Sequence, residues 1–164
     1  MARRRGLIIS DEQMQLVDSI LAKLQRVSGA TFAAIVSTSG QPITTSPPET
    51  HSDTLSLAAL AAGSFAATRQ LAQALNEREF TLLFHEGKES NLHVVQVTDQ
   101  VLLLVTFGRG TQVGRVRLYT SRALAVLKPV FEGAEDTDGD EVVIDEEYSS
   151  EAGKAIDGLF PDPD

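Results

Sequence analysis

The chain has no cysteine and no tryptophan, and aromatic residues make up only 5% of it. Without cysteine there is neither a disulfide framework nor a thiolate metal site. A long hydrophobic run is missing too. Behind Arg3-Arg4-Arg5, which imitates the basic start of a signal peptide, the apolar stretch Leu7 to Ile9 is far too short, and no segment suits a bilayer span. A cytoplasmic address is therefore the expectation. The phosphate-loop pattern is absent as well, since Gly87-Lys88 runs into Glu89 and Gly153-Lys154 into Ala155, so the chain is not expected to bind nucleotide itself. Ser46, Ser52 and Ser64 stand in no nucleophile-elbow pattern, which leaves a Ser-His-Asp site without support.

What is present divides the chain in two. Residues 132 to 164 hold thirteen acidic groups against Lys154 alone, a net charge of −12, while residues 1 to 131 hold thirteen basic and ten acidic groups, a net +3. A length of 164 residues and a hydrophobic fraction of 42% allow one core-bearing domain, 11–131, between a basic arm, 1–10, and an acidic tail, 132–164. So mild a positive balance does not suggest a nucleic-acid reader, which needs a concentrated basic footprint with base-stacking groups. Arg109, Arg115, Arg117 and Arg122 gather near one predicted strand-to-helix junction, either as a solvated face or as a dock for an acidic surface such as the tail.

The stretch Asp53 to Leu75 predicts the helix around which the rest is arranged. Ser52 or Asp53 can cap it, and no proline interrupts it. Leu57, Leu60, Ala67, Leu71 and Leu75 recur at helical spacing and are expected to pack on the core. A second stripe, Ala59, Gly63, Ala66, Gln70 and Gln73, is small or uncharged. From Thr54 to Gln73 the only charge is Arg69, whereas a helix that merely covers a monomer normally carries Lys and Glu outside. This stripe is read as a protein-contact strip. An alanine-rich core helix of high intrinsic propensity is the plainer alternative.

Around that helix the elements follow in order. Ser10 and Gln13 resemble a capping box, followed by a helical stripe of Met14, Val17, Leu21 and Leu24 that stops at Gly29. Thr31 to Ser37 and Gln41 to Thr45 read as a hairpin whose second strand, bearing Pro42, is an edge. Phe80 to Glu86, Asn91 to Val97 and Val101 to Phe107 read as further strands; the last is apolar almost throughout and should be central, with helices on each side of the sheet. A last helix is predicted over Gln112 to Phe131, with Val116, Ala123, Leu124, Leu127 and Phe131 inward and Pro129 in its last turn.

Metal chemistry finds little footing. A four-residue turn would pair His85 with Leu92, so His85 and His93 would point to opposite faces of the sheet and share no zinc. Asp136, Asp138, Asp140 and Glu147 match positions 1, 3, 5 and 12 of a calcium loop, yet Glu141 stands where the sharp turn needs glycine, and a solvated acidic linker is the better reading. Beyond it, Ile156, Leu159 and Phe160 fall on one side of a potential helix over 149–160. With Gly153 and Gly158 inside it, this short segment is expected to be disordered alone and to serve as a tethered partner anchor.

The order of elements, with Val36-Ser37-Thr38-Ser39-Gly40-Gln41-Pro42-Ile43, Leu60-Ala61-Ala62-Gly63 and the following Ala66-Ala67-Thr68, Phe84-His85-Glu86-Gly87, and Val113-Gly114-Arg115-Val116-Arg117-Leu118, resembles the Roadblock (dynein light chain type) family over residues 11 to 131. The tail pieces Val143-Ile144-Asp145-Glu146-Glu147-Tyr148 and Ala155-Ile156-Asp157-Gly158-Leu159-Phe160 are similar to the family's bacterial gliding-motility and cell-polarity regulators. The resemblance implies an α+β fold, α-β-β-α-β-β-β-α, with a five-stranded antiparallel sheet and helices on both faces. It further implies a homodimer with sheets joined edge to edge and long helices side by side, no cofactor, and a small Ras-like GTPase as partner, two regulator subunits per GTPase. Such a regulator has no active site of its own, activates the GTPase without an arginine finger, and concentrates at a cell pole. A scaffold that localises partners such as a sensor kinase is the alternative on the same dimer, and a stand-alone enzyme of similar shape lacks a converging polar cluster.

Overall fold

The computed structural model describes residues 7–48, 52–78, 80–135, 153–154 and 157–158. In chain order the elements are α1 (Asp11–Ser28), β1 (Phe32–Ser37), β2 (Pro42–Ser46), α2 (Ser52–Ala74), β3 (Leu82–Glu86), β4 (Ser90–Thr98), β5 (Val101–Gly108) and α3 (Val113–Glu135). The order is the expected one. Local chemistry sets the ends of α1: the Gln13 N–H donates to Ser10 Oγ at 3.2 Å, and the Ser10 N–H donates to Gln13 Oε1 at 2.9 Å, satisfying two donors that the first turn would leave orphaned. Gly29 ends the helix at φ +77°, a left-handed conformation that costs glycine little.

The strands make one antiparallel sheet in the order β2-β1-β5-β4-β3. β5 is central, as its continuous apolar run predicts: Val101 to Val105 are all buried, alternate residues going to opposite faces. β2, with Pro42, lies at one edge and β3 at the other.

On one face α1 and α3 pack over Ala33, Ile35, Val95, Leu103, Val105 and Phe107. These two helices run antiparallel and are tied at both ends. Arg115 Nε donates to the Val27 carbonyl at 2.7 Å, and Gln13 Nε2 donates to the Val130 carbonyl at 3.4 Å. α3 overruns the expected end at Phe131 and continues to Glu135. Pro129 is tolerated inside it because its ring is on the exposed side, while the adjoining Val130 and Phe131 are buried and hold the helix to the core.

The other face, Ala34, Val36, Val94, Leu102 and Leu104, is covered by α2. Here the helix is rotated from the sequence expectation. Its buried residues are Ala58, Ala61, Ala62, Phe65 and Ala72, with Leu57 half-buried, whereas Leu60, Ala67, Leu71 and Leu75 face outward. Geometry explains the inversion. Alanines let the helix lie close on a sheet already filled by Val and Leu, and the single large residue on this stripe, Phe65, supplies the volume. α2 ends on Asn76, at φ 57°, with the Glu77 N–H bonded to the Ala72 carbonyl at 2.9 Å and the Asn76 N–H to the Gln73 carbonyl at 3.1 Å. That reciprocal pair caps the last turn.

Candidate functional site

The sheet fixes one side of α2, and its other side has a composition that the chain's own packing leaves unexplained. Ala59, Gly63, Ala66, Gln70 and Gln73 are all exposed, and beside them, about one residue-step further round the helix, stand the outward leucines. Leu60 is 70% exposed, Leu75 59%, Leu55 56% and Leu71 55%. Soluble monomers rarely line up so much apolar surface on one element. Sequence pattern alone does not reveal this part of the site, because leucine outweighs alanine in any hydrophobic periodicity. The signal lies in the spacing of Ala58, Ala61, Phe65 and Ala72, which marks an inner stripe whose fully buried residues include no leucine.

The small residues of the outer strip differ in their reasons. A Cβ on Gly40, in the β1–β2 turn at φ +92°, would meet Ala59 Cα at 3.0 Å, so the turn lies tight against the helix at Ala59 and part of the need for small residues there is internal. At Gly63 a Cβ would meet nothing within 4 Å. Among the described residues nothing requires glycine at this position, which costs a helix about 1 kcal/mol relative to alanine. Close approach of another backbone would require it.

The sheet has a second edge at β3, away from the β1–β2 turn that α2 touches. Leu82 is 43% exposed, and among the described residues the outer hydrogen-bonding side of the strand has no neighbour in the sheet.

The arginines singled out by sequence sit on the opposite, α1–α3 side and do not converge on one point. Arg115 is bonded to the Val27 carbonyl, Arg117 lies 5.4 Å over the Phe84 ring, and Arg122 lies 5.6 Å over the Tyr119 ring. Arg109 is exposed in the turn before α3. His85 pairs with Leu92 and His93 with Phe84, so the two imidazoles point to opposite faces as expected. His93 is buried, and burial, reinforced by the nearby Arg117 charge, pushes it down to about 4 from its usual 6.5. It is a neutral core histidine, set edge-on to Phe84 with ring centroids 6.4 Å apart. A polar cleft of about 340 Å³ opens between the β4–β5 turn and the end of α3, lined by Thr81, Gln96, Asp99, Lys128 and Glu132 among others. Its charged groups are engaged locally, Gln96 donating to Asp99 at 3.3 Å and Lys128 lying 3.9 Å from Glu132. Among the described residues no group of His, Asp and Glu has metal-binding geometry, and no helix is long and apolar enough to cross a membrane. The expected tail anchors Ile156, Leu159 and Phe160, and the calcium-like residues Asp136, Asp138, Asp140 and Glu147, lie outside the described residues.

A family model for the Roadblock/LC7 domain matches residues 16–107, more than half the chain. The chain belongs to the Roadblock/LC7 family. Among solved Roadblock-type structures, Myxococcus xanthus MglB is 34% identical, with 71% of this chain and 95% of that one covered at a TM-score of 0.67. The gliding protein MglB from Thermus thermophilus is 26% identical over 80% of this chain and 99% of its own, at 0.72. A structure described as MglB with tetrameric arrangement is 25% identical over 80% of this chain and 98% of its own, at 0.73. No match was found among curated proteins. The α+β Roadblock fold, with its sheet order and helices on both faces, is therefore that of this chain.

Proposed function

We propose that this Roadblock protein is a homodimeric regulator of a small Ras-like GTPase of the MglA type, accelerating GTP hydrolysis on its partner. The observation that carries the reading is the outer face of α2, apolar, nearly uncharged and holding a glycine its own fold does not need. The likeness to MglB over nearly the whole of that chain supports the choice of partner. Two protomers joined through the β3 edge would set their α2 helices side by side, making one continuous apolar platform for a single GTPase. Ala59, Gly63, Ala66, Gln70 and Gln73 would form the close-contact strip.

Activation on this reading needs no group from the regulator. The dimer binds best to the GTPase conformer whose own catalytic residues are aligned, and the population shifts toward that conformer. The α1–α3 placement of Arg115 and Arg117, each occupied within its own chain, suits a mechanism without a supplied arginine. Service in cell polarity or motility, and concentration at a cell pole, belong to the same proposal.

Ala66→Arg tests it. The position is exposed, so the variant should keep the wild-type circular dichroism and melting temperature. In a single-turnover GTP hydrolysis assay with an MglA-type GTPase it should lose acceleration, because the guanidinium must be desolvated against a close-packed partner. Undiminished acceleration by the folded variant would sink the proposal.

A further inference from the structure

On α1, one flank is taken by β2: Thr44 donates to Asp18, and Ser46 Oγ donates to Gln25 Oε1 at 2.6 Å. At 100° per residue Lys23 is turned away from both and lies on the flank that faces α3. The antiparallel tie between Arg115 and the Val27 carbonyl sets its level. One turn back along α1 from Val27 and one turn on along α3 from Arg115 brings Lys23 beside Tyr119, with Arg122 stacked over that ring. A surface lysine normally keeps its head in water. The Lys23 side chain is only 15% exposed, and its ammonium donates to Asp157 Oδ1 at 3.0 Å, across 134 residues of sequence. Gly153, Lys154, Asp157 and Gly158 are helical.

Charge runs the same way. This half of the groove carries Lys23, Arg26, Arg115 and Arg122, whereas Asp11, Glu12 and Glu132 belong to its far end. The segment that reaches it belongs to a tail of net charge −12. One ion pair with an exposed partner holds little alone, and the segment 149–160 itself adds only Glu151 and Asp157 against Lys154, so the cations act on the acidic tail as a whole. Covalent tethering raises the effective concentration of the segment at the groove, so weak contacts suffice.

We propose that the α1–α3 groove around Lys23 is the docking site of the chain's own C-terminal segment around Asp157, held by Lys23 against Asp157. It is a second protein-binding surface, on the side of the sheet opposite α2. The inference is independent of which partner α2 binds.

The absence of cysteine allows a direct test on the full chain. A nitroxide spin label is attached at Lys154→Cys, and paramagnetic broadening of backbone amides is read by NMR. The resonances of Lys23, Arg26, Tyr119 and Arg122 should lose half their intensity or more, and those of Gln70 and Gln73 on α2 should not. Lys23→Glu should abolish the pattern, and Lys23→Glu combined with Asp157→Lys should restore it. Equal broadening on both sides of the sheet, or a pattern indifferent to Lys23→Glu in a protein whose amide spectrum remains dispersed, overturns the proposal. Spin-labelled chains are also mixed with isotope-labelled chains that carry no spin label. Broadening there would place the segment on a second copy and overturn docking within one chain; its absence supports it.

Discussion

Phe65 and Leu60, five residues apart on α2, offer a quantitative test of how that helix is seated. Phe65 is 2% exposed and fills the layer between α2 and Val36, Val94 and Leu102, so Phe65→Ala removes a buried ring and leaves a cavity. The expected cost is about 3–5 kcal/mol. Leu60 is 70% exposed, so Leu60→Ala removes few contacts within the chain and gains slightly in helix propensity. Its effect on the isolated fold should stay within about 0.5 kcal/mol. If the outer face is covered by a second protomer, the same truncation costs up to about 1.5–3 kcal/mol of association, the value of burying a leucine. Urea unfolding followed by far-ultraviolet circular dichroism over a hundredfold range of protein concentration separates these terms, since only association depends on concentration. Phe65→Ala should lower the midpoint at every concentration, whereas the deficit of Leu60→Ala should shrink on dilution. A loss of about 2 kcal/mol or more for Leu60→Ala that persists in the most dilute sample would mean the leucines are core, and the seating of α2 described above would be wrong.

Further outcomes follow from single contacts. His93 is held neutral with a folded value of about 4, below its unfolded 6.5, so the unfolded chain binds the proton more readily between those values; the stability it contributes is complete above pH 6.5 and is lost as pH falls toward 4. The loss should reach about 3 kcal/mol at pH 4, and His93→Leu should remove that part of the pH dependence in unfolding curves recorded from pH 4 to 8. Arg109→Ala and Arg115→Ala should each leave GTPase acceleration far above the roughly thousandfold loss that removing a catalytic arginine produces, while Arg115→Ala, which breaks the bond to Val27, should cost about 1–2 kcal/mol of stability. A thousandfold loss at either position with binding intact would replace the proposed mechanism by a supplied arginine.

The fold was legible because its signals are local. The Ser10–Gln13 box, Gly29, Pro42 and the unbroken apolar run of β5 each depend on a few neighbouring residues, and each is realised where the sequence places it. The rotation of α2 was not legible, because burial there is decided by a sheet surface contributed by four distant strands. A periodicity weighted by hydrophobicity follows the leucines, while the sheet selects the alanines that fit it. Of the site, the small uncharged strip could be read from composition, but the leucines that widen it into an apolar face could not. The run of α3 past Pro129 shows a similar limit, since an exposed ring followed by two buried anchors is a tertiary circumstance.

The two sides of the sheet are held unequally. α1 and α3 are fastened to each other at both ends and bury large side chains such as Ile20, Leu24, Leu127 and Phe131. α2 rests mostly on alanines, each burying a single methyl, with Phe65 as its one fully buried large peg and Leu57 half-buried beside it. Free energy of attachment follows buried apolar area, so α2 is the cover and the α1–α3 pair the chassis. Whatever settles on its outer leucines therefore supplies the weight that its inner face lacks.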